Sequence, residues 1–94
     1  MSTIDPLTRL HVQVRGQVQG VGFRWFTLET AESLGLTGWV RNRKDGSVEA
    51  EAQGTGEALA AFVARLKSGN PSARVESIET GPGVVKTETA FRII

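Results

Sequence analysis

An Asp-Gly pair at residues 45–46 constrains the fold more than any other feature of the sequence. It separates two strand-like stretches, residues 36–43 and 48–53, and an Asp-Gly pair in that position is typical of a tight β-hairpin. The stretch after the turn alternates between small apolar and polar side chains, which predicts a strand with one buried face. The elements before and after this hairpin can therefore be assigned relative to it.

Strand and helix patterns precede the hairpin. Residues 10–15 alternate strictly, as a half-buried strand does. From Phe23 onward, apolar and Thr side chains recur at helical spacing, and Gly35 stands where a glycine commonly ends a helix. The predicted buried stripe of this first helix consists of Phe23, Phe26, Thr27, Thr30, Ala31 and Leu34.

A second helix and two further strands are predicted after the hairpin. The helix opens at residues 54–55 and is stopped near Gly69. Its apolar stripe consists of Leu59, Phe62, Val63 and Leu66. A weakly patterned strand follows over residues 75–80, and the tail over residues 86–94 indicates a short fifth strand with an apolar end.

The element order βαββαβ predicts an α+β, ferredoxin-like sandwich with two helices on one face of an antiparallel sheet, plus the short C-terminal fifth strand. Right-handed crossovers place the third strand between the first and the second, and the fourth outside the first. The first and second strands then run in the same direction about 10 Å apart. Their C-terminal ends therefore open at one edge of the sheet. Residues 1–94 are expected to form one domain, with residues 1–7 as a loose N-terminal arm.

Composition excludes several classes of function. Eleven Lys and Arg residues against ten Asp and Glu residues give a net charge of +1, which argues against a protein that grips nucleic acid or anionic lipid by its charge. The absence of cysteine excludes a thiol nucleophile and a disulfide scaffold, and the single histidine counts against a metal site or a Ser-His-Asp arrangement. No signal peptide or membrane-spanning stretch is apparent, so we expect a soluble, cytoplasmic protein without cofactor or metal.

The most informative stretch is the glycine-rich loop between the first strand and the first helix, residues 16–22. Glycines let backbone N–H groups converge on an anion, and the start of a helix adds positive charge, so the loop suits a phosphate-sized ligand. It matches neither a dinucleotide-binding fingerprint nor a nucleotide P-loop. On the glycines alone, a plain turn that starts a helix remains the simpler interpretation.

Arg24 and Asn42 are the two candidate side chains for chemistry. Arg24 stands in the first helical turn, where a cation opposes the helix dipole, and its planar guanidinium can grip two phosphate oxygens. Asn42 ends the second strand at the same sheet edge, where its amide could orient a water molecule. The alternatives are that Arg24 is an ordinary solvated side chain and that Asn42 only stabilises the turn. Nearby Arg41, Arg43 and Lys44 could add a positive rim or simply face solvent.

Other polar and aromatic residues are assigned structural roles. Alternation turns His11 to the face opposite the apolar side chains, so we interpret it as a surface residue. Trp25 and Trp39 are expected to pack rather than to stack on a ligand. Glu49 and Glu51 share one strand face next to no histidine, which indicates a solvated face rather than a metal site or an acid/base pair.

Three segments of the sequence together resemble the acylphosphatase family: residues 16–24, 38–42 and 45–48. Two motifs at the expected separation make the resemblance specific, and it runs through most of the chain, weakening after Ile78. The resemblance implies an enzyme that hydrolyses the carboxyl-phosphate anhydride of acyl phosphates to a carboxylate and inorganic phosphate, without metal or cofactor.

The resemblance also implies roles for individual residues. Arg24 would hold the phosphoryl group, Asn42 would position the attacking water, and the substrate's own phosphate would take the water's proton. Backbone N–H groups would complete the cradle at Gly16, Gln19, Gly20, Val21, Gly22 and Phe23. In some members of the family the C-terminal carboxylate contacts the arginine, and the sequence leaves open whether Ile94 does so here.

Three rival functions use the same fold or the same motif. An RNA-binding module would carry aromatic side chains on the first and third strands, where this chain has polar ones. An acylphosphatase-like domain of a larger, carbamoyl-phosphate-processing enzyme would carry attached modules. A binding module could keep the cradle without turnover. We expect a monomeric enzyme whose ligands are a small acyl phosphate and inorganic phosphate, with no nucleic acid or membrane partner.

Overall fold

The computed structural model describes residues 7–94, so the expected arm over residues 1–7 lies outside the described residues except for Leu7. The elements are β1 (Thr8–Gln17), α1 (Phe23–Ser33), β2 (Thr37–Asn42), β3 (Val48–Gly54), α2 (Gly56–Ser68), β4 (Arg74–Pro82) and β5 (Phe91–Ile93). Within residues 7–94, no helix is long and apolar enough to cross a membrane.

The strands form one sheet in the order β4-β1-β3-β2-β5. This confirms the predicted ferredoxin-like order, in which β3 separates β1 from β2 and β4 lies outside β1. Three of the pairings are antiparallel, whereas β5 runs parallel to β2, so the sheet is mixed rather than wholly antiparallel. Because β1 and β2 run in the same direction, both end at the edge that bears the glycine-rich loop and the hairpin.

The fifth strand covers only residues 91–93, shorter than the predicted 86–94. The preceding segment, residues 83–90, which we call the strap, has other partners. The amide of Gln53 on β3 donates to the Lys86 carbonyl at 2.7 Å and accepts from the Lys86 N–H at 2.8 Å. These bonds are made by a side chain, so the strap does not extend a strand ladder.

Both helices cover one face of the sheet and enclose the core. The predicted inward alternation of β1 and β3 is confirmed, and the inward side chains meet α1 and α2. Two threonines of the predicted α1 stripe are buried because their hydroxyls donate to backbone carbonyls one turn earlier, Thr27 to Phe23 and Thr30 to Phe26. The buried apolar residues are Val12, Val14, Val18, Phe23, Ala31, Leu36, Val40, Val48, Ala50, Ala52, Leu59, Phe62, Leu66 and Phe91.

The opposite face of the sheet is covered by ion pairs, and here one prediction is wrong. Glu49 was expected on a solvated face away from histidine, but it is only 8% exposed and its carboxylate bonds His11 Nε2 at 2.6 Å. Arg41 and Arg43 donate to the same carboxylate at 2.7 and 3.0 Å. Two guanidinium groups and one imidazole thus surround the Glu49 carboxylate and shield it from solvent.

Arg9 is the second centre of this polar face and is 1% exposed. Its guanidinium pairs with Glu51 at 2.5 Å and with Glu88 of the strap at 2.6 Å. The Gly83 N–H donates to the Arg9 carbonyl at 2.8 Å, so Gly83 and Glu88 of the strap are both tied to Arg9 on β1. Arg9 therefore fastens the strap, which leads into β5.

Candidate active site

A cavity of about 160 Å³ opens where the C-terminal ends of β1 and β2 meet the start of α1. It is lined by Val18, Gly20, Gly22, Phe23, Arg24, Trp25, Asn42 and Ile93. The cavity brings Arg24 and Asn42 together with part of the glycine-rich loop, as the shared sheet edge predicts. One cation and no carboxylate stand among these lining residues, so the cavity suits an anion.

The loop turns its backbone toward the cavity through two glycines. Gly20 and Gly22 have φ angles of +75° and +77°, in the left-handed region that favours glycine. A Cβ atom at either position would meet nothing within 4 Å, so the space beside both is open. A ligand can therefore approach the backbone closely at these two residues.

The start of α1 is left without the usual capping partner. Its N-cap residue is Gly22, no side chain within residues 7–94 bonds the first N–H groups, and the first turn has no acidic residue. By contrast, α2 is capped by Thr55, whose hydroxyl accepts from the Ala58 N–H at 3.1 Å. The free N–H groups of α1 carry a partial positive charge beside the cavity, an arrangement that binds anions elsewhere in proteins.

Arg24 adds a full positive charge to this helix start. It is exposed, and within residues 7–94 its guanidinium makes neither an ion pair nor a hydrogen bond, with the carboxylate of Ile94 or with any other group. A cation in the first turn of a helix is unfavourable by a few tenths of a kcal/mol to about 1 kcal/mol. An anion bound between Arg24 and the N–H groups would reverse that penalty.

Asn42 is held at the cavity by the hairpin that follows it. Its backbone pairs with Val48 at the end of the β2–β3 ladder. The Asp45 carboxylate accepts from the Ser47 N–H at 2.9 Å and from the Ser47 hydroxyl at 2.6 Å, and these hydrogen bonds lower the pKa of Asp45 to about 2. These two hydrogen bonds close the turn, and the Asn42 amide, unbonded among the described residues, is free for a ligand.

Three of the predicted cradle residues, Gly16, Gln19 and Val21, do not line the cavity. Gly16 lies within β1 at a register shift and faces β4, where an added Cβ would come 2.1 Å from the Arg74 carbonyl oxygen. Val21 packs against the core without lining the cavity. The side-chain amide of Gln19 donates to the carbonyls of Arg43 and Ser47 at 2.7 and 2.8 Å.

Trp25 was expected to pack, and that prediction is wrong. Its side chain is 64% exposed and lies at the mouth of the cavity, next to Arg24. The helical pattern of α1 does indicate this exposure, because Trp25 falls outside the stripe of buried side chains that begins with Phe23 and Phe26. Trp39 packs as expected, half-buried, with the Arg41 guanidinium 5.3 Å from the centre of its ring.

Comparison with known proteins gives a consistent answer. The sequence model of the family described as Acylphosphatase matches residues 10–93. The acylphosphatase of Nitrobacter hamburgensis is 48% identical over 89 residues, which cover 95% of this chain and 89% of that protein. The crystal structure of the Bacillus subtilis acylphosphatase superposes with a TM-score of 0.89 at 39% identity, covering 95% of this chain and 99% of that one.

A larger protein contains a similar unit. T. kodakarensis HypF superposes with a TM-score of 0.77 at 35% identity, over 89% of this chain but only 11% of that one. The same fold therefore occurs as one part of a much longer chain, whereas the Nitrobacter and Bacillus proteins match this chain over most of their own lengths.

Proposed function

The chain belongs to the acylphosphatase family, and from that premise we propose that Arg24, the loop backbone and Asn42 carry its reaction. The enzyme hydrolyses acyl phosphates to a carboxylate and inorganic phosphate. The observation that supports these residue roles is the cavity itself, which joins open glycine backbone to a guanidinium and an amide that have no partner among residues 7–94.

Arg24 and the N–H groups at residues 19–23 bind the phosphoryl oxygens. The guanidinium supplies two parallel donors, and the helix start supplies donors that need no reorganisation during the reaction. Charge on the transferring phosphoryl group is spread over its outer oxygens, so donors fixed around them stabilise the transition state. Gly16 supports this cradle by letting β1 approach β4 closely where the loop begins.

Asn42 positions the attacking water. Its side-chain oxygen accepts a hydrogen bond from the water, which leaves a lone pair of the water directed at phosphorus. The P–O bond to water forms as the bond to the carboxylate breaks, and the electron pair leaves with the carboxylate. The proton passes to a phosphoryl oxygen of the substrate, and a carboxylate leaves readily without an acid to protonate it.

Substitution of Arg24 and Asn42 tests these roles. We expect Arg24→Ala to lower kcat/KM for benzoyl phosphate about 10²–10³-fold, as the loss of one fixed electrostatic donor does. We expect Asn42→Ala to lower kcat/KM about 10²-fold, with a smaller change in KM, because the variant misplaces the attacking water but still binds the substrate. The assay contains a chelator, and circular dichroism checks the fold of each variant.

Matched controls come from residues of the same type elsewhere on the surface. Arg65→Ala on α2 removes a surface guanidinium that bonds Ser33, and Asn70→Ala removes an amide in the loop after α2. Both should keep wild-type activity. Full activity in a folded Arg24→Ala or Asn42→Ala variant would show that the assigned role is wrong.

We also propose that residues 1–94 act as one monomeric domain in the cytoplasm, without nucleic acid or membrane. Ion pairs and the strap occupy the open sheet face on which RNA-binding domains with this fold present aromatics. Few large apolar side chains are strongly exposed among residues 7–94, which supports the monomer. The absence of cysteine is consistent with a reducing compartment. Light scattering during gel filtration tests the oligomeric state, and a mass of two chains at assay concentration would contradict it.

A further inference from the structure

The cavity is large enough for the phosphoryl group but too small to enclose a bulky acyl group as well. Its volume is about 160 Å³, whereas sites that enclose a drug-sized ligand usually measure about 300–1,000 Å³. A phosphoryl group bound on Arg24 and the loop therefore leaves a bulky acyl group at the mouth of the cavity. The side chains at the mouth decide which acyl groups bind well.

Trp25 is the large apolar side chain at that mouth. Five large apolar residues are strongly exposed among residues 7–94: Leu7, Trp25, Val84, Val85 and Ile94. Of these five, Trp25 lines the cavity, and the half-buried Ile93 stands beside it in the same lining. Arg24 and Trp25 line the same cavity, so a group attached to a phosphate on Arg24 lies within reach of the indole.

We propose that Trp25, together with Ile93, forms a binding site for the acyl group and makes the enzyme selective for acyl phosphates with an aromatic or extended apolar acyl group. This proposal rests on the proposed role of Arg24 and the loop in holding the phosphoryl group. An indole offers a rigid apolar surface on which an aromatic ring stacks in an offset arrangement. An acetyl group is too small to cover that surface.

The test is the ratio of kcat/KM for benzoyl phosphate to kcat/KM for acetyl phosphate. We expect Trp25→Ala to lower this ratio about tenfold, the size of effect that one aromatic contact plus its buried area gives. Trp25→Phe should keep most of the wild-type ratio, because it keeps an aromatic surface. Val84→Ala, which trims an exposed apolar side chain on the strap, should leave the ratio unchanged.

A binding measurement separates selectivity from catalysis. Inorganic phosphate and benzylphosphonate are compared as competitive inhibitors. In Trp25→Ala, the inhibition constant of benzylphosphonate should rise about tenfold while that of phosphate changes less than twofold. In Arg24→Ala, both should rise. The Arg24→Ala result tests the phosphoryl site alone, so the acyl-site proposal and the phosphoryl-site proposal can fail separately.

Two results would overturn the acyl site. One is a benzoyl-to-acetyl ratio in folded Trp25→Ala that stays within twofold of wild type. The other is an equal rise in the inhibition constants of phosphate and benzylphosphonate, which would mean that Trp25 acts on the phosphoryl cradle. Either result leaves the roles of Arg24 and Asn42 to be judged by their own variants.

Discussion

Gln19 couples the two parts of the site through a single side chain. Its amide donates to the carbonyls of Arg43 and Ser47, at 2.7 and 2.8 Å, across the base of the hairpin. The glycine-rich loop is thereby fixed to the segment that carries Asn42. Under the proposed roles, the relative placement of the phosphate donors and the attacking water depends on these two hydrogen bonds.

We expect Gln19→Ala to lose both stability and turnover. Two neutral hydrogen bonds contribute about 1–3 kcal/mol together, and the carbonyls left behind can partly hydrate. A loosened hairpin misplaces Asn42, so kcat should fall about tenfold or more. Urea unfolding and steady-state kinetics measure the two effects. Gln13→Ala is the control, because Gln13 bonds Ser47 on the open sheet face without joining the loop to the hairpin.

At this scale the sequence predicted which residues meet, but not every side-chain direction. Arg24 and Asn42 were predictable because strand order fixes where β1 and β2 end. The direction of Gln19 was not, since an amide in a loop can point inward or outward without breaking any periodicity. The exposure of Trp25 could have been found from its place outside the α1 stripe, but not its position at the cavity, which depends on β5.

At the scale of an element, β3 shows what alternation does and does not specify. Its even and odd side chains point to the faces that the sequence predicts. The pattern does not say what covers the polar face, and Glu49 is buried by His11 from β1 and Arg41 from β2. Long-range partners cannot be found from the period of one strand.

The Glu49 carboxylate makes the stability of the sheet depend on pH. Burial by itself raises the pKa of Glu49, but hydrogen bonds from His11, Arg41 and Arg43 outweigh burial and hold the pKa at about 2, below its usual 4.5. A lowered pKa in the folded state means that this stabilisation is complete above about pH 4.5. It is lost as the pH falls from 4.5 toward 2.

We therefore expect Glu49→Gln to destabilise the protein by about 1.5–3 kcal/mol at pH 7, with the difference from wild type shrinking below pH 4.5. Urea unfolding at a series of pH values measures this. Glu79→Gln, an exposed carboxylate on β4 that is 3.3 Å from Arg15, should change stability little at any pH. A Glu49→Gln penalty that stays constant down to pH 3 would contradict the assignment.

At the scale of the whole molecule, the strap joins the polar face of the sheet to the active site. It is fastened by Arg9 and leads into β5, whose Ile93 lines the cavity. The Gly38 N–H donates to the Ala90 carbonyl at 3.1 Å, and the Ile94 N–H donates to the Val40 carbonyl at 2.9 Å. A contact on the open face thus supports the mouth of the cavity.

We expect Arg9→Ala to destabilise the protein by about 3–5 kcal/mol, the usual result when one partner of a buried ion pair is removed. Amide exchange should accelerate at Lys86, Gly38 and Ile94 as the strap loosens. Arg15→Ala is the matched control on the same strand, since Arg15 is 45% exposed and pairs with Asp45 and Glu79 at 3.4 and 3.3 Å. It should cost less than about 1 kcal/mol, and equal penalties would refute a clamping role for Arg9.

Covering one sheet face with helices and the other with ion pairs also affects how stability varies with temperature. Exposing apolar surface on unfolding raises the heat capacity, whereas exposing polar surface lowers it. Here one face releases side chains such as Val12 and Ala50, and the other releases groups such as Arg9 and Glu49. The two contributions partly cancel, so the polar face makes the heat capacity change of unfolding smaller than the apolar face alone would give.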